Sequence, residues 1–310
     1  MKILVTGASG FVGKSLCADL KTRGAIVISA IRSGPVDPGV FSVGDINGET
    51  DWRRVLEECN AVVHLAARVH HMQDTASNPV AEFRRVNAEG TLSLGRQAAA
   101  FGVRRFVFVS SIKVNGEVGR VRYSDADIAA PADAYALSKW EGEQGLRQIA
   151  ADTGMEVVII RPPLVYGPGV KANFAALMHA VQKGWPLPLG AIHNRRSLVA
   201  LDNLVDFIIT CITHPKAANQ TFLISDGQDL STTELVRGMA KAAGVPARLL
   251  PVPVWALEWA GRCVGKRDAI QRLCGNLQID SSKARDLLGW VQKISVEEGL
   301  LRVMGGNVKK

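Results

Sequence analysis

The sequence predicts an α/β protein, a doubly wound parallel sheet followed by a smaller C-terminal α/β unit. Three observations carry this. Short β-type apolar runs alternate with helix-type segments through the first half of the chain. A glycine-rich turn joins the first strand to the first helix, and after Arg161 the texture changes to proline-rich joints and shorter elements. At 310 residues the chain has length for one large or two smaller domains.

The chain opens MKILVTGASGFVGKSL. Residues 3–6 are a short strand-type run, and after Gly13 the spacing of Leu16, Cys17 and Leu20 is helical. Between them Gly7, Gly10 and Gly13 stand in G-x-x-G-x-x-G spacing, and a second β-type run at 25–31 completes a βαβ unit of the Rossmann type. Glycines also make plain tight turns. This one leaves backbone N–H groups at a helix N-terminus, where their partial positive charge favours a phosphate, so it is read as a dinucleotide site. Further strands are predicted at 61–65, 105–110 and 157–161, with helices at 52–58, 86–101 and 135–151. Beyond them PPLVYGPGV, GWPLPLG and PVPVW mark a second unit, interrupted by a return to the first through SLVALDNLVDFIITC. The expected division gives 1–161 with about 197–224 to a dinucleotide-binding domain, and 162–196 with about 225–310 to a substrate domain. A ligand cleft should lie between them, outside the carboxyl ends of the strands. In the apolar stretch 252–264, Trp255 and Trp259 are four apart; without a lysine-rich polar face they read as the buried side of a domain helix rather than a membrane-surface helix.

No uninterrupted apolar stretch approaches the roughly 20 residues of a membrane span. The N-terminus lacks a signal peptide's long apolar region and cleavage site, so a soluble, cytoplasmic protein without membrane insertion is expected. Cys17, Cys59, Cys211, Cys263 and Cys274 form no C-x-x-C pair, and the adjacent His70 and His71 have no third ligand at metal spacing. Neither a disulfide framework nor a metal is expected. The net charge of +8 and isoelectric point near 9.4 suit an anionic partner. Basic residues fall in pairs, as in GVRRF and NRRSL, so a small anionic molecule is expected rather than nucleic acid.

A second constellation lies in YALSK, where Tyr135 and Lys139 share one helix face one turn apart. A free phenol, pKa about 10, is a poor acid or base at neutral pH; an ammonium about 4 Å away, at an effective dielectric near 20, would stabilise the phenolate by roughly 4 kcal/mol. A lowered tyrosine pKa is therefore expected. Upstream, RFVFVSSIKVNG ends a predicted core strand with Ser110 and Ser111 at its carboxyl end, where a hydroxyl can bond the same substrate oxygen as Tyr135.

On these residues the chain resembles the extended short-chain dehydrogenase/reductase superfamily, in its nucleotide-sugar epimerase/dehydratase/reductase group. The resemblance is carried by TGASGFVG, the DI of Asp45 and Ile46, VVHLAA, NAEGT, VSSIKVNG, YALSK, RPPLVYGPG and DSSKARDLLGW, and it covers nearly the whole chain. It implies a Rossmann domain binding NAD(H) or NADP(H) and a C-terminal domain binding a UDP-sugar. By motif position it implies Tyr135 as acid/base, Lys139 on the nicotinamide ribose hydroxyls and Ser111 on the sugar C4 oxygen. The cofactor side would comprise Gly7, Gly10, Phe11, Val12, Gly13, Arg32, Asp45, Ile46, Leu65, Ala66, Ala67, Asn87, Ser110 and Pro162, with Tyr135 and Lys139. Asn173 and Arg196 would reach the substrate diphosphate, with Arg195, Arg267 and Arg272 as rival phosphate contacts, although Asn173 also suits a helix cap. Lys113, Arg68 and His70 fall on strand-end loops that face either the sugar or solvent. A homodimer through the helices at 86–101 and 135–151 is implied as well.

The group carries out dehydration, epimerisation, reduction and decarboxylation from similar sites. Its dehydratases resemble one another in an acid pair just after the hydroxyl residue, where this chain has Ile112 and Lys113, so dehydration is disfavoured. NAD-retaining epimerases carry an acidic residue at the end of the second strand. Here Ser29, Ala30 and Ile31 precede Arg32, a basic residue suited to a 2′-phosphate. NADP(H) is therefore expected over NAD(H). With it goes reduction at C4 of a UDP-4-keto-6-deoxy-N-acetylhexosamine, of the N-acetylquinovosamine or N-acetylfucosamine type, for surface polysaccharide such as lipopolysaccharide O-antigen. The alternative is a UDP-glucose or UDP-N-acetylglucosamine 4-epimerase. A non-catalytic nucleotide sensor tends to lose the tyrosine or lysine kept here, and a steroid or flavonol ketoreductase has no need of Arg196.

Overall fold

Strand β1 (Lys2–Thr6) buries Ile3, Leu4 and Val5 completely, as a strand covered on both faces must. The computed structural model describes residues 1–35, 37–69, 78–116, 122–265 and 267–305, the Asp268 side chain excepted; His70 lies outside these. After β1 come α1 (Phe11–Thr22), β2 (Ile26–Ile31), β3 (Val40–Ser42), α2 (Arg53–Leu56), β4 (Ala61–His64) and α3 (Pro79–Arg84). A π-helical turn at Arg85–Glu89 leads into α4 (Gly90–Ala100), followed by β5 (Arg105–Val109), α5 (Ala134–Thr153) and β6 (Glu156–Arg161). The rest is β7 (Leu164–Tyr166), α6 (Ala172–Gln182), β8 (Leu198–Ala200), α7 (Leu201–Thr213), β9 (Thr221–Leu223), α8 (Thr232–Ala242), α9 (Val254–Cys263), α10 (Arg267–Cys274), α11 (Ser282–Leu288) and α12 (Val296–Gly305).

Seven strands form one parallel sheet in the order β3-β2-β1-β4-β5-β6-β9. The order reverses between β1 and β4, the switch point at which such sheets open a crevice at their carboxyl ends. Alternate β1 side chains enter two different cores: Ile3 and Val5 join Leu16, Leu20 and Phe207 on one face, while Leu4 joins Trp52, Leu94 and Phe108 on the other. A third cluster stands off the sheet around Tyr166, Phe174, Met178, Met239 and Leu300, and β7 and β8 pair beside it as a separate parallel ladder. Asp226, just beyond β9, ties this cluster in: it accepts from Tyr166 Oη at 2.8 Å, from the Ala200 amide at 3.0 Å and from Asn203 Nδ2 at 2.7 Å.

The doubly wound sheet is as the sequence predicts, but three expectations change. The helix expected at 86–101 is a π turn and α4, and within the turn the Asn87 side chain accepts from the Arg68 amide and donates to the Ser138 hydroxyl. The helix at 52–58 shrinks to one turn. In α9 the tryptophans are not the buried face: Leu257 and Gly261 point inward, and Trp255 and Trp259 are 72% and 67% exposed.

Candidate active site

At the carboxyl end of β1 the three glycines do different jobs. Gly7 has φ +66°, and a Cβ there would stand 2.8 Å from the Ala66 nitrogen in the loop after β4. At Gly13 a Cβ would overlap the Gly7 carbonyl oxygen and crowd Ala8 Cα at 2.8 Å. Both are demanded by the chain's approach to itself. Gly10 is exposed and N-caps α1 with no side-chain cap, so the first-turn N–H groups of Phe11, Val12 and Gly13 face outward as an anion site. Beside the turn, the Leu65 amide donates to the Thr6 carbonyl at 3.3 Å and the Ala66 amide to Thr6 Oγ1 at 3.2 Å, which holds the Leu65–Ala66–Ala67 segment against Gly7. Ile46 packs on Gly90 at the start of α4. β2 ends without a carboxylate, and Asp45, in the loop after β3, places its Oδ1 3.3 Å from Arg32 Nε.

Two strands away, Ser111 follows β5 and accepts the Lys113 amide at 3.3 Å. Asp133 N-caps α5, accepting the Ala136 amide at 2.7 Å, and its other oxygen takes Lys113 Nζ at 2.7 Å. One ion pair thereby clamps the turn bearing Ser111 to the helix end bearing Tyr135. Tyr135 is hydrogen-bonded to Ser111 and meets the edge of Phe83 at 6.1 Å between centroids. The expected fall in its pKa is not what these surroundings produce. Burial, joined by the Asp133 charge and opposed by the Ser111 bond, pushes the phenol up to about 12. Lys139 is itself buried with its ammonium 4.0 Å over the Phe108 ring, and burial, opposed by Glu143, brings it down to about 7.

Beneath this pair lies a polar network. Glu143, fully buried one turn beyond Lys139, accepts from Ser110 Oγ at 2.5 Å and from Arg161 Nε at 2.9 Å. Arg161 also donates to Asn115 Oδ1 at 2.8 Å. The Ser110 hydroxyl thus donates into the core, and its amide donates to the Ile160 carbonyl at 2.7 Å. His64 is buried between Thr6 Oγ1 at 2.7 Å and Thr91 Oγ1 at 2.9 Å, and burial with the Lys139 charge drops it to about 3, so it is neutral.

Residues 3–225 match the NAD dependent epimerase/dehydratase family. The chain belongs to that family. Among relatives of this chain is a UDP-glucose 4-epimerase of Vibrio cholerae, 50% identical over 96% of this chain and 92% of that one. Of solved structures, the UDP-glucose 4-epimerase of Thermotoga maritima with UDP-glucose matches at TM-score 0.79 and 23% identity, over 100% of this chain and 99% of that one. The UDP-glucuronic acid 4-epimerase of Bacillus cereus with NAD matches at 0.77 and 21%, over 99% and 98%.

The epimerase/dehydratase fold brings Gly10, Ala66, Ser111, Tyr135 and Lys139 to the carboxyl edge of one sheet. Asn87 is fully buried, bracing Arg68 and Ser138, and the buried Pro162 accepts the Ile112 amide at 3.0 Å. Asn173 is not a cap: Lys171 holds that place without a side-chain bond, and Asn173 is exposed one residue after Ala172, whose φ is +56°. Arg196 donates to the Gly275 carbonyl at 3.0 Å, just past α10. Arg272 is therefore at the Arg196 end of that helix and Arg267 at the other, while the exposed Arg195 faces Glu234 at 4.0 Å. Sequence reasoning missed Glu143 and Asp133. The four-residue spacing of Tyr135, Lys139 and Glu143 was the available signal for the first.

Proposed function

We propose that the protein interconverts UDP-hexoses or UDP-N-acetylhexosamines that differ at C4, working on NAD(H). The observation that carries this choice is the full-length relative at 50% identity, by name a UDP-glucose 4-epimerase. It supports epimerisation above the reduction favoured by the sequence alone.

Gly10, Phe11 and Val12 would hold the pyrophosphate on the open end of α1, with Asp45 and Ile46 at the adenine and Leu65, Ala66 and Ala67 along the middle. A nicotinamide dinucleotide bound there supplies a reversible hydride acceptor and, when oxidised, a positive charge beside Tyr135. Ser111 bonds the C4 oxygen of the sugar, and Tyr135 takes the C4 hydroxyl proton and later returns it to the carbonyl oxygen. The lysine, brought down to about 7, lies one helical turn from the phenol, where its charged form would favour a phenolate at Tyr135. Asn173 and Arg196 are proposed on the diphosphate, within the substrate domain of residues 162–196 and about 225–310. A homodimer through α4 and α5 belongs to the same reading.

The preference for NAD(H) rests on Asp45, which engages the arginine that otherwise argues for a 2′-phosphate. If Arg32 serves only the adenine side, Arg32→Ala lowers NADH and NADPH affinity together. Loss of NADPH binding alone restores the expectation of NADP(H). The deciding experiment incubates the purified protein with UDP-glucose or UDP-N-acetylglucosamine without added nicotinamide and resolves the C4 epimers. Epimer formation is the expected result. Stoichiometric consumption of NADPH on a UDP-4-keto-6-deoxy-N-acetylhexosamine, with no epimer formed, transfers the assignment to the reductase.

A further inference from the structure

Helix α9 presents its two tryptophans to solvent, and they are not alone. The chain preceding α9 pairs with the segment after α6: Leu187 donates to Arg248 and accepts from Leu250, at 2.8 Å in each case. That ladder brings together Trp185, 56% exposed, and the exposed Leu250, four residues before α9 begins. Three of the six tryptophans are therefore exposed along connected segments of one part of the molecule, while Trp52 and Trp290 are buried. An indole is poorly placed in bulk water. Its favoured level is a bilayer interface, where the ring leaves water and the N–H stays hydrated.

The charge around these rings is mostly positive. Arg248, Arg262 and Arg267 are all exposed there, and within α9 only Glu258 opposes them. The whole chain adds a net charge of +8. A second copy of the chain would set the same arginines against each other, whereas an anionic lipid surface complements them. No described helix is long and apolar enough to cross a membrane, so the contact is with the surface.

We propose that the face formed by α9 and the Trp185–Leu250 ladder docks the protein peripherally on an anionic bilayer, with Trp255 and Trp259 at headgroup depth and the arginines against lipid phosphates. The surface lies outside the residues proposed for catalysis. It holds the enzyme at the membrane while its cleft remains open to soluble substrate.

The test is flotation of the full-length protein with vesicles of phosphatidylcholine, with and without phosphatidylglycerol. Binding to the anionic vesicles should exceed binding to the neutral ones by about tenfold or more and weaken with salt. Tryptophan emission should shift to the blue on binding. The double variant Trp255→Ala/Trp259→Ala should lose about tenfold or more of that binding with turnover of free UDP-glucose unchanged, which also reports that it folds. Arg262→Glu/Arg267→Glu keeps the indoles and should lose the preference for anionic lipid. No partition onto anionic vesicles, or equal partition by the tryptophan variant, overturns the proposal. So does a fall in oligomeric mass in that variant without vesicle binding by the wild type, which assigns the face to a second copy.

Discussion

Burial raises the Tyr135 phenol to about 12 and lowers the Lys139 ammonium to about 7, so each shift disfavours the charged form. Tyr135→Phe should therefore leave the fold and dinucleotide binding intact while lowering turnover by about 10²-fold or more, the scale of a lost acid/base; steady-state rates with a nucleotide titration check both halves. Lys139 has a second consequence. Between about 7 and its ordinary 10.5 the unfolded chain binds the proton that the folded chain has released. Stability therefore climbs as pH rises through that window and is lost as pH falls through the folded value. Lys139→Met should flatten the rise, as measured by Tm across the window. YALSK was legible because its geometry is local to one helix. The direction of the tyrosine shift was not, since it depends on how deeply neighbouring elements enclose the ring.

At the scale of elements, the N-terminus of α5 is where two motifs are made into one site. Asp133 caps the helix and takes Lys113 from the turn after β5. Asp133→Ala should cost about 1 kcal/mol as a lost cap. It should also reduce kcat by more than the change in substrate KM, because Ser111 and Tyr135 lose their common tether; urea unfolding with steady-state kinetics separates the effects. The glycine turn and the five long strands were readable from local patterns. The strands β3, β7, β8 and β9, three residues each, are too short for alternation to register. Glu143 and Arg161 were each visible in sequence, yet their pairing requires knowing that α5 lies over β6. The same holds for Asp45 and Arg32, which meet only because β3 lies beside β2.

Across the whole molecule, Asp226, beyond β9, ties the third hydrophobic cluster to α7, and β9 itself closes the sheet against β6, with Leu223 paired to Arg161. In SLVALDNLVDFIITC it is α7 that returns to pack on the sheet, while β8 pairs with β7 apart from it, and the strand that completes the sheet was not legible. That closure sets a timetable for biosynthesis. A ribosome delivers β6 well before β9, and in the interval the outer edge of Ile159–Arg161 offers its unpaired backbone to any other nascent chain. A chain released at residue 214 still contains the glycine turn, Ser111, Tyr135 and Lys139. It should nonetheless appear in the pellet after centrifugation of expressing cells, while the full chain stays in the supernatant.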